Sequence, residues 1–172
     1  LWGSLAFVEL PVGPARSVRE IRAPETGTVP VRVVYECSMA KRILIVDDDP
    51  AQRRILEETV KRFGFETRCA VSGEQALEVL EGSERTAVSL VLLDLVMPGI
   101  GGMAVLESLK GKPSPPIIVL TANGSVDAAI SAIKLGAVDF VIKPASPERL
   151  EVSMKSAMKI EALSDEILRI KK

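Results

Sequence analysis

The stretch Val88–Pro98, reading Val-Ser-Leu-Val-Leu-Leu-Asp-Leu-Val-Met-Pro, limits the folds open to this chain more than any other. A nearly continuous apolar run is what a strand covered on both faces requires, and such strands belong to parallel sheets flanked by helices. The run delivers one carboxylate, Asp94, at its carboxyl end, and Met97-Pro98-Gly99 then turns the chain away. In an open parallel sheet, ligands and chemistry collect beyond the carboxyl ends of the strands. Asp94 is therefore a candidate site residue, although an aspartate that merely opens a turn looks the same locally. How the other strands end decides between the two.

The pattern on either side is regular. Arg42–Val46 is a short apolar strand followed by Asp47-Asp48-Asp49-Pro50. Asp49 caps a helix there, with Pro50 at its first position and Gln52 at its third. Ile55, Leu56, Thr59, Val60 and Phe63 give that helix its inward stripe, and Gly64 stops it. Phe65–Val71 is a second strand, and Ser72 with Gln75 forms a capping box for the helix of Ala76, Leu77 and Leu80. After Val88–Asp94 comes a helix over Gly102–Lys110 that turns Val105, Leu106 and Leu109 inward. The proline-rich connection Lys112–Pro116 leads to a fourth strand, Ile117–Thr121. Ser125 caps a helix with Ala129, Ile130 and Ile133 inward, ending near Gly136. Val138–Ile142 is the fifth strand, and Ser146-Pro147 opens the last helix. Strands alternating with helices predict one three-layer α/β domain, a five-stranded parallel sheet with five helices on both faces.

The 172 residues are 47% apolar but only 3% aromatic, which suits an aliphatic core for one such domain plus an extension. Residues 1–38 hold Pro11, Pro14, Pro24 and Pro30 and no sustained period. They read as a disordered or cloning-derived extension, with at most a short strand at Val29–Tyr35, and Met39 looks like a natural start. The domain then covers 39–158, and 159–172 is a helical linker. A net charge of −1 without a basic block argues against a nucleic-acid surface on this chain. Cys37 and Cys69 lack metal-ligand spacing, which points to a reduced, cytoplasmic protein. No apolar run approaches the roughly 18 residues of a membrane span. With no histidine present, His–metal sites and His-based triads are excluded.

In a parallel sheet all carboxyl ends share one edge. The first strand brings Asp47 and Asp48 there, the third Asp94, the fourth Thr121 and the fifth Lys143. Taken singly, these residues suit a solvated turn, a helix approach and a snorkelling lysine; together they suit a site. Crowded carboxylates disfavour one another's ionised forms. Lys143 offsets one charge and a divalent cation offsets the other two. An all-oxygen donor set with room for water favours Mg²⁺. A carboxylate beside that cation, an amine and a hydroxyl is equipped to attack a phosphoryl group and hold the transferred oxygens. There is no glycine-rich phosphate loop, so the phosphoryl donor is not a nucleotide cradled by this domain.

Val46-Asp47-Asp48, Asp94-Leu95-Val96-Met97-Pro98-Gly99, Leu120-Thr121-Ala122 and Phe140-Val141-Ile142-Lys143-Pro144 together resemble the receiver domains of bacterial two-component response regulators. The resemblance covers about residues 41–160. It implies a flavodoxin-like fold with strand order 2-1-3-4-5. It implies Asp94 as the phosphoacceptor, served by a sensor histidine kinase, and Mg²⁺ held by Asp47, Asp48, Asp94 and the Val96 backbone carbonyl. Thr121 and Lys143 become phosphate contacts, and the peptide before Pro144 becomes cis. Phosphate on Asp94 adds about −1.5 to −2 charge. Thr121 moves to bond it, and Phe140 fills the space behind, a switch pair in which Phe140 lacks the hydroxyl of the family's frequent tyrosine.

The last helix has no breaker from Pro147 to Lys172. Leu150, Met154 and Ala157 form a docking stripe, and beyond them Ile160, Leu163, Ile167 and Ile170 recur at 3-4-3 spacing, an a/d seam. The seam predicts a homodimer whose strength or geometry phosphorylation changes. The regulators resembled most are those of the nitrogen-regulation class, in which such a helix leads to an AAA+ ATPase and a DNA-binding domain. Function is then transcription regulation by domains beyond this chain, with no turnover enzyme here beyond the domain's own phosphorylation and slow dephosphorylation. Two rival readings remain. One is a stand-alone or hybrid-kinase receiver. The other is a haloacid-dehalogenase-like phosphohydrolase, which needs a second aspartate where this chain has Val96.

Overall fold

The computed structural model describes residues 41–122 and 126–170, with the side chains of residues 126, 161, 162 and 164–170 left aside. The expected extension over 1–38, the strand at Val29–Tyr35 and the Ser125 cap lie outside the described residues. Five strands form one parallel sheet: β1 (Arg42–Val46), β2 (Glu66–Ala70), β3 (Val88–Asp94), β4 (Ile117–Thr121) and β5 (Asp139–Ile142), in the order β2-β1-β3-β4-β5. Five helices alternate with them: α1 (Pro50–Arg62), α2 (Gly73–Glu81), α3 (Gly102–Leu109), α4 (Val126–Lys134) and α5 (Pro147–Ile170). The fold is the flavodoxin-like arrangement anticipated from the sequence.

The period-2 alternation of a strand assigns the core to two layers. Leu44, Val46, Val91, Leu93 and Val119 face Leu80 of α2, Val105 and Leu106 of α3 and Ala132 of α4. Ile43, Ile45, Leu90, Leu92, Ile118 and Leu120 face Leu56 and Val60 of α1 and Leu150 and Met154 of α5. The central strand β3 is buried along nearly its whole length, which is why its sequence reads as an unbroken apolar run and not as an alternation.

Local signals act as expected at most helix starts. The Asp49 carboxylate accepts from the Ala51 and Gln52 N–H groups at 2.8 and 3.4 Å, and Pro50 stands at the first position. Such a cap contributes about 1 kcal/mol. Ser72 Oγ accepts from Gln75 N–H at 3.3 Å. In return Val71 N–H donates to Gln75 Oε1 at 2.8 Å. Ser146 Oγ likewise accepts from Arg149 N–H at 3.2 Å.

Two helical stripes differ from expectation. Ile55 on α1 is 64% exposed, and Ile130 and Ile133 on α4 are 48% and 42% exposed. On α4 the buried residues are Ala129 and Ala132, with Ala128 packed beside them. Alanine fills the core side of this helix, so the larger isoleucines fall on its outer side. A short 3₁₀ turn over Ser83–Ala87 also precedes β3, in a polar stretch without period.

α5 keeps its helical course for 24 residues, roughly 36 Å. Its inward stripe is Leu150, Ser153, Met154, Ala157 and Met158. Ile160 and Leu163 follow at 56% and 51% exposure.

Candidate functional site: an acid cluster bridged by lysine

β1, β3, β4 and β5 end at the same sheet edge, where β1 delivers two acids and each of the others one polar group. Register fixes their heights: Asp94 pairs with Leu120, and Thr121 with Ile142, directly before Lys143. β1 stops at Val46, so Asp47 and Asp48 follow at that edge. Asp47 is fully buried and Asp94 is 5% exposed, whereas Asp48 faces solvent.

Both buried carboxylates are held in place by backbone. Asp47 Oδ1 accepts from Asp49 N–H at 2.9 Å, and Asp94 Oδ1 accepts from Val96 N–H at 3.1 Å. Their second oxygens share one cation: Lys143 Nζ lies 2.7 Å from Asp47 Oδ2 and 2.7 Å from Asp94 Oδ2. Lys143 itself is anchored through its N–H to the Thr121 carbonyl at 2.8 Å, and the Lys143–Pro144 peptide is cis. Burial works against the lysine's charge, but the hydrogen bonds to Asp47 and Asp94 outweigh it and hold the ammonium above its ordinary range.

Three carboxylates against one ammonium leave two negative charges uncompensated. Oxygen atoms of Asp47, Asp48 and Asp94 lie within 4.8 Å of one another. Opposite ligands of an octahedral Mg²⁺ stand about 4 Å apart, so a small inward adjustment would let these three groups share a single small, hard cation. The donor set is all oxygen, which suits the same ion.

Thr121 is buried at the end of β4, with its hydroxyl donating to the Ala122 carbonyl at 3.3 Å. Phe140 is half-buried in the layer of α2, α3 and α4, opposite Val119 in register. The Val96 side chain is 70% exposed between the buried Leu95 and Met97. Of the residues expected to form the seam, Ile160 and Leu163 are exposed on α5. The side chains of Ile167 and Ile170 lie outside the described residues.

Two supporting residues were not anticipated from the sequence. Arg53, one turn into α1, donates Nη1 to the carbonyls of Asp47 at 2.7 Å and Asp48 at 3.3 Å. Its spacing after the acid pair was the available signal. Glu74, at the start of α2, accepts from Ile100 N–H at 3.1 Å, a contact for which the sequence carries no mark.

Residues 43–155 match the family model of the response regulator receiver domain. The chain is 40% identical over 119 residues to the "Probable transcriptional regulator ycf27" of Cyanophora paradoxa, an alignment covering 69% of this chain and 48% of that protein. It is 35% identical to the regulatory protein AtoC of Escherichia coli, over 73% of this chain and 27% of that one. Among solved structures, NtrX of Brucella abortus superposes with a TM-score of 0.69 at 32% identity, covering 77% of this chain and 30% of NtrX. The chain thus spans about half the length of the ycf27 relative and about a quarter of AtoC.

Proposed function

Because the chain belongs to the response regulator receiver domain family, we propose that Asp94 is its phosphoacceptor, with Asp47, Asp48 and the Val96 carbonyl completing a Mg²⁺ site and Thr121 and Lys143 contacting the phosphate. The observation that carries this reading is the bridge of Lys143 to both Asp47 and Asp94, with Asp48 close enough to share a cation. The family is not one of turnover enzymes, and the phosphohydrolase alternative falls away with that membership.

The geometry supports one route for the reaction. An Asp94 oxygen forms a bond to phosphorus as the phosphorus–nitrogen bond of a kinase phosphohistidine breaks, and the departing imidazole keeps the electron pair. Mg²⁺, when bound, neutralises charge on the transferred oxygens. Lys143 stays within reach of both the carboxylate and the arriving phosphoryl group, and Val96 N–H orients the acceptor. With valine at position 96, no second acid activates water beside the acyl phosphate, so self-dephosphorylation is slow and the modification serves as a signal.

The proposed receiver spans 39–158, with 1–38 outside the fold and 159–172 a linker. The phosphate draws Thr121 inward, Phe140 follows, and the face of α4, β5 and α5 rearranges. The continuous α5 supports transmission of that change to a homodimer seam at Ile160, Leu163, Ile167 and Ile170. Output is transcription regulation, the role stated in the ycf27 relative's name, the protein works in the cytoplasm, and its partner is a sensor histidine kinase. Among the described residues no helix is long and apolar enough to cross a membrane.

The test is covalent. Acetyl phosphate with Mg²⁺ should add one phosphoryl group to the chain, and Asp94→Asn should abolish it. Asp48→Ala should raise the metal requirement, with high Mg²⁺ partly restoring the product. A mass gain that persists in Asp94→Asn, or that ignores chelator, refutes the assignment.

A further inference from the structure

The loop between β3 and α3, residues 95–101, carries the Val96 carbonyl and is fixed at its start by the neighbouring strand β4 and at its end by a bond back to its own first residue. At its start Leu95 N–H donates to the Leu120 carbonyl at 3.1 Å, and the Leu95 and Met97 side chains are buried. At its end Gly102 N–H donates to the Leu95 carbonyl at 3.2 Å.

The middle of the loop is held from another element. Ile100 N–H donates to Glu74 Oε1 at 3.1 Å. The approach is close on both sides of this bond. A Cβ on Gly99, whose φ is +74°, would stand 2.9 Å from Glu74 Oε1, and one on Gly73 would stand 2.1 Å from the Ile100 carbonyl oxygen. At Gly73 the neighbour is backbone, so only glycine fits without displacing the loop from the helix, whereas at Gly99 the neighbour is the end of a flexible side chain and the positive φ is what favours glycine. The Glu74 carboxylate is held below its usual range by its own backbone N–H, the Ser72 hydroxyl and Ile100 N–H. Glu74 is exposed, so this contact orients the loop and adds little buried surface.

We propose that Glu74 is a positioning residue: through Ile100 N–H it fixes the loop in the conformation that offers the Val96 carbonyl to the divalent cation, without touching the cation. This rests on the reading of the acid cluster as a Mg²⁺ site. A glutamate in the first turn of a helix also interacts with the helix dipole. That role alone would change stability and leave metal affinity untouched.

The experiment is calorimetric Mg²⁺ titration of the whole chain and of Glu74→Ala, Glu74→Gln and Asp48→Ala, with hydrogen exchange of the peptide spanning residues 95–101. Glu74→Ala should weaken Mg²⁺ binding about five-fold, the scale of one ordinary solvent-exposed hydrogen bond, and speed exchange in the loop. Its phosphorylation at saturating Mg²⁺ should match the parent. Glu74→Gln, whose amide oxygen still accepts from Ile100, should stay close to the parent in both readouts. Unchanged affinity in Glu74→Ala beside a clear loss in Asp48→Ala overturns the positioning role and leaves the metal site standing. Equal weakening in the Ala and Gln variants overturns it in favour of long-range charge. Parent-like affinity in Asp48→Ala removes the metal site and this proposal with it.

Discussion

Lys143 Nζ stands 2.7 Å from Asp94 Oδ2 and closes the same distance to Asp47, so one ammonium serves two buried carboxylates. Removing one partner of a buried ion pair costs about 3–5 kcal/mol, because the remaining charge stays uncompensated. Lys143→Met should therefore lower stability to urea by roughly that amount in metal-free buffer. The variant site carries three negative charges and no positive one, so added Mg²⁺ should stabilise it more than it stabilises the parent. Identical losses with and without Mg²⁺ would show that the lysine and the cation do not share these carboxylates.

Gly102 begins α3 against the strand that carries the acceptor. A Cβ there would sit 2.3 Å from the Asp94 carbonyl oxygen and 2.9 Å from Leu95 Cα. Both neighbours are backbone, so neither has a rotamer to yield. Gly102→Ala should cost about 1–3 kcal/mol, the range of overpacked cores, and should slow phosphorylation by shifting Asp94. At Gly136 nothing lies within 4 Å, and only its φ of +112° opposes a side chain. Gly136→Ala should destabilise through backbone strain while phosphorylation stays at the parent rate. Equal phosphorylation in both variants would argue that Asp94 tolerates a displaced backbone.

On α4 the small residues lie inside and the large ones outside. Ile130→Lys and Ile133→Lys should change stability by no more than about 0.5 kcal/mol, as surface substitutions do. Ala132→Leu, by contrast, should cost about 1–3 kcal/mol. Thermal unfolding separates the two cases. A large loss in either isoleucine variant would place those side chains in the core.

The tail prediction concerns assembly. Replacing Leu163 and Ile167 by aspartate puts charge into the expected seam and should yield a monomer with normal phosphorylation. A seam this short is marginal by itself, so the receiver faces must supply the remaining contact. Sedimentation that finds the same oligomer in the double variant would make the tail a passive linker.

The Glu74 tether has a pH signature. Its folded-state pKa is depressed, so its contribution is fully present above the ordinary glutamate value of 4.5 and is lost as pH falls through the lower folded value. Stability to urea should fall through that acid window in the parent. Glu74→Gln, which does not titrate, should show no corresponding step. The same step in both would trace it to another group.

Strand ends were the most legible feature of the sequence. β1, β3 and β4 run over the residues expected, because continuous apolar runs bounded by acids or prolines leave little freedom in where a strand stops. The same bounds brought Asp47, Asp94, Thr121 and Lys143 to one edge. Helix faces were less legible. Ile130 and Ile133 satisfy a helical period as well as Ala129 and Ala132 do, and alanine's small apolar surface gives it little weight in such a pattern. Ile55 fits an inward helical period beside Leu56, yet the buried side of α1 centres on Leu56, Thr59 and Val60. Glu74 and Arg53 were invisible or nearly so, since each acts on backbone groups whose position only the folded chain defines.

Asp47 and Lys143 are 96 residues apart in the chain. At a synthesis rate of about 5–20 residues per second, roughly 5–20 s separates the emergence of the first acid from that of its lysine. During that interval the acid cluster has no ammonium to draw it together. On the proposed assignment, a ribosome-bound chain that has yet to release β5 would hold Asp94 without the lysine that bridges it to Asp47. On the same assignment, competence to receive a phosphoryl group would arrive only once Lys143 has emerged, and fragments cut short before it would be silent to the signal.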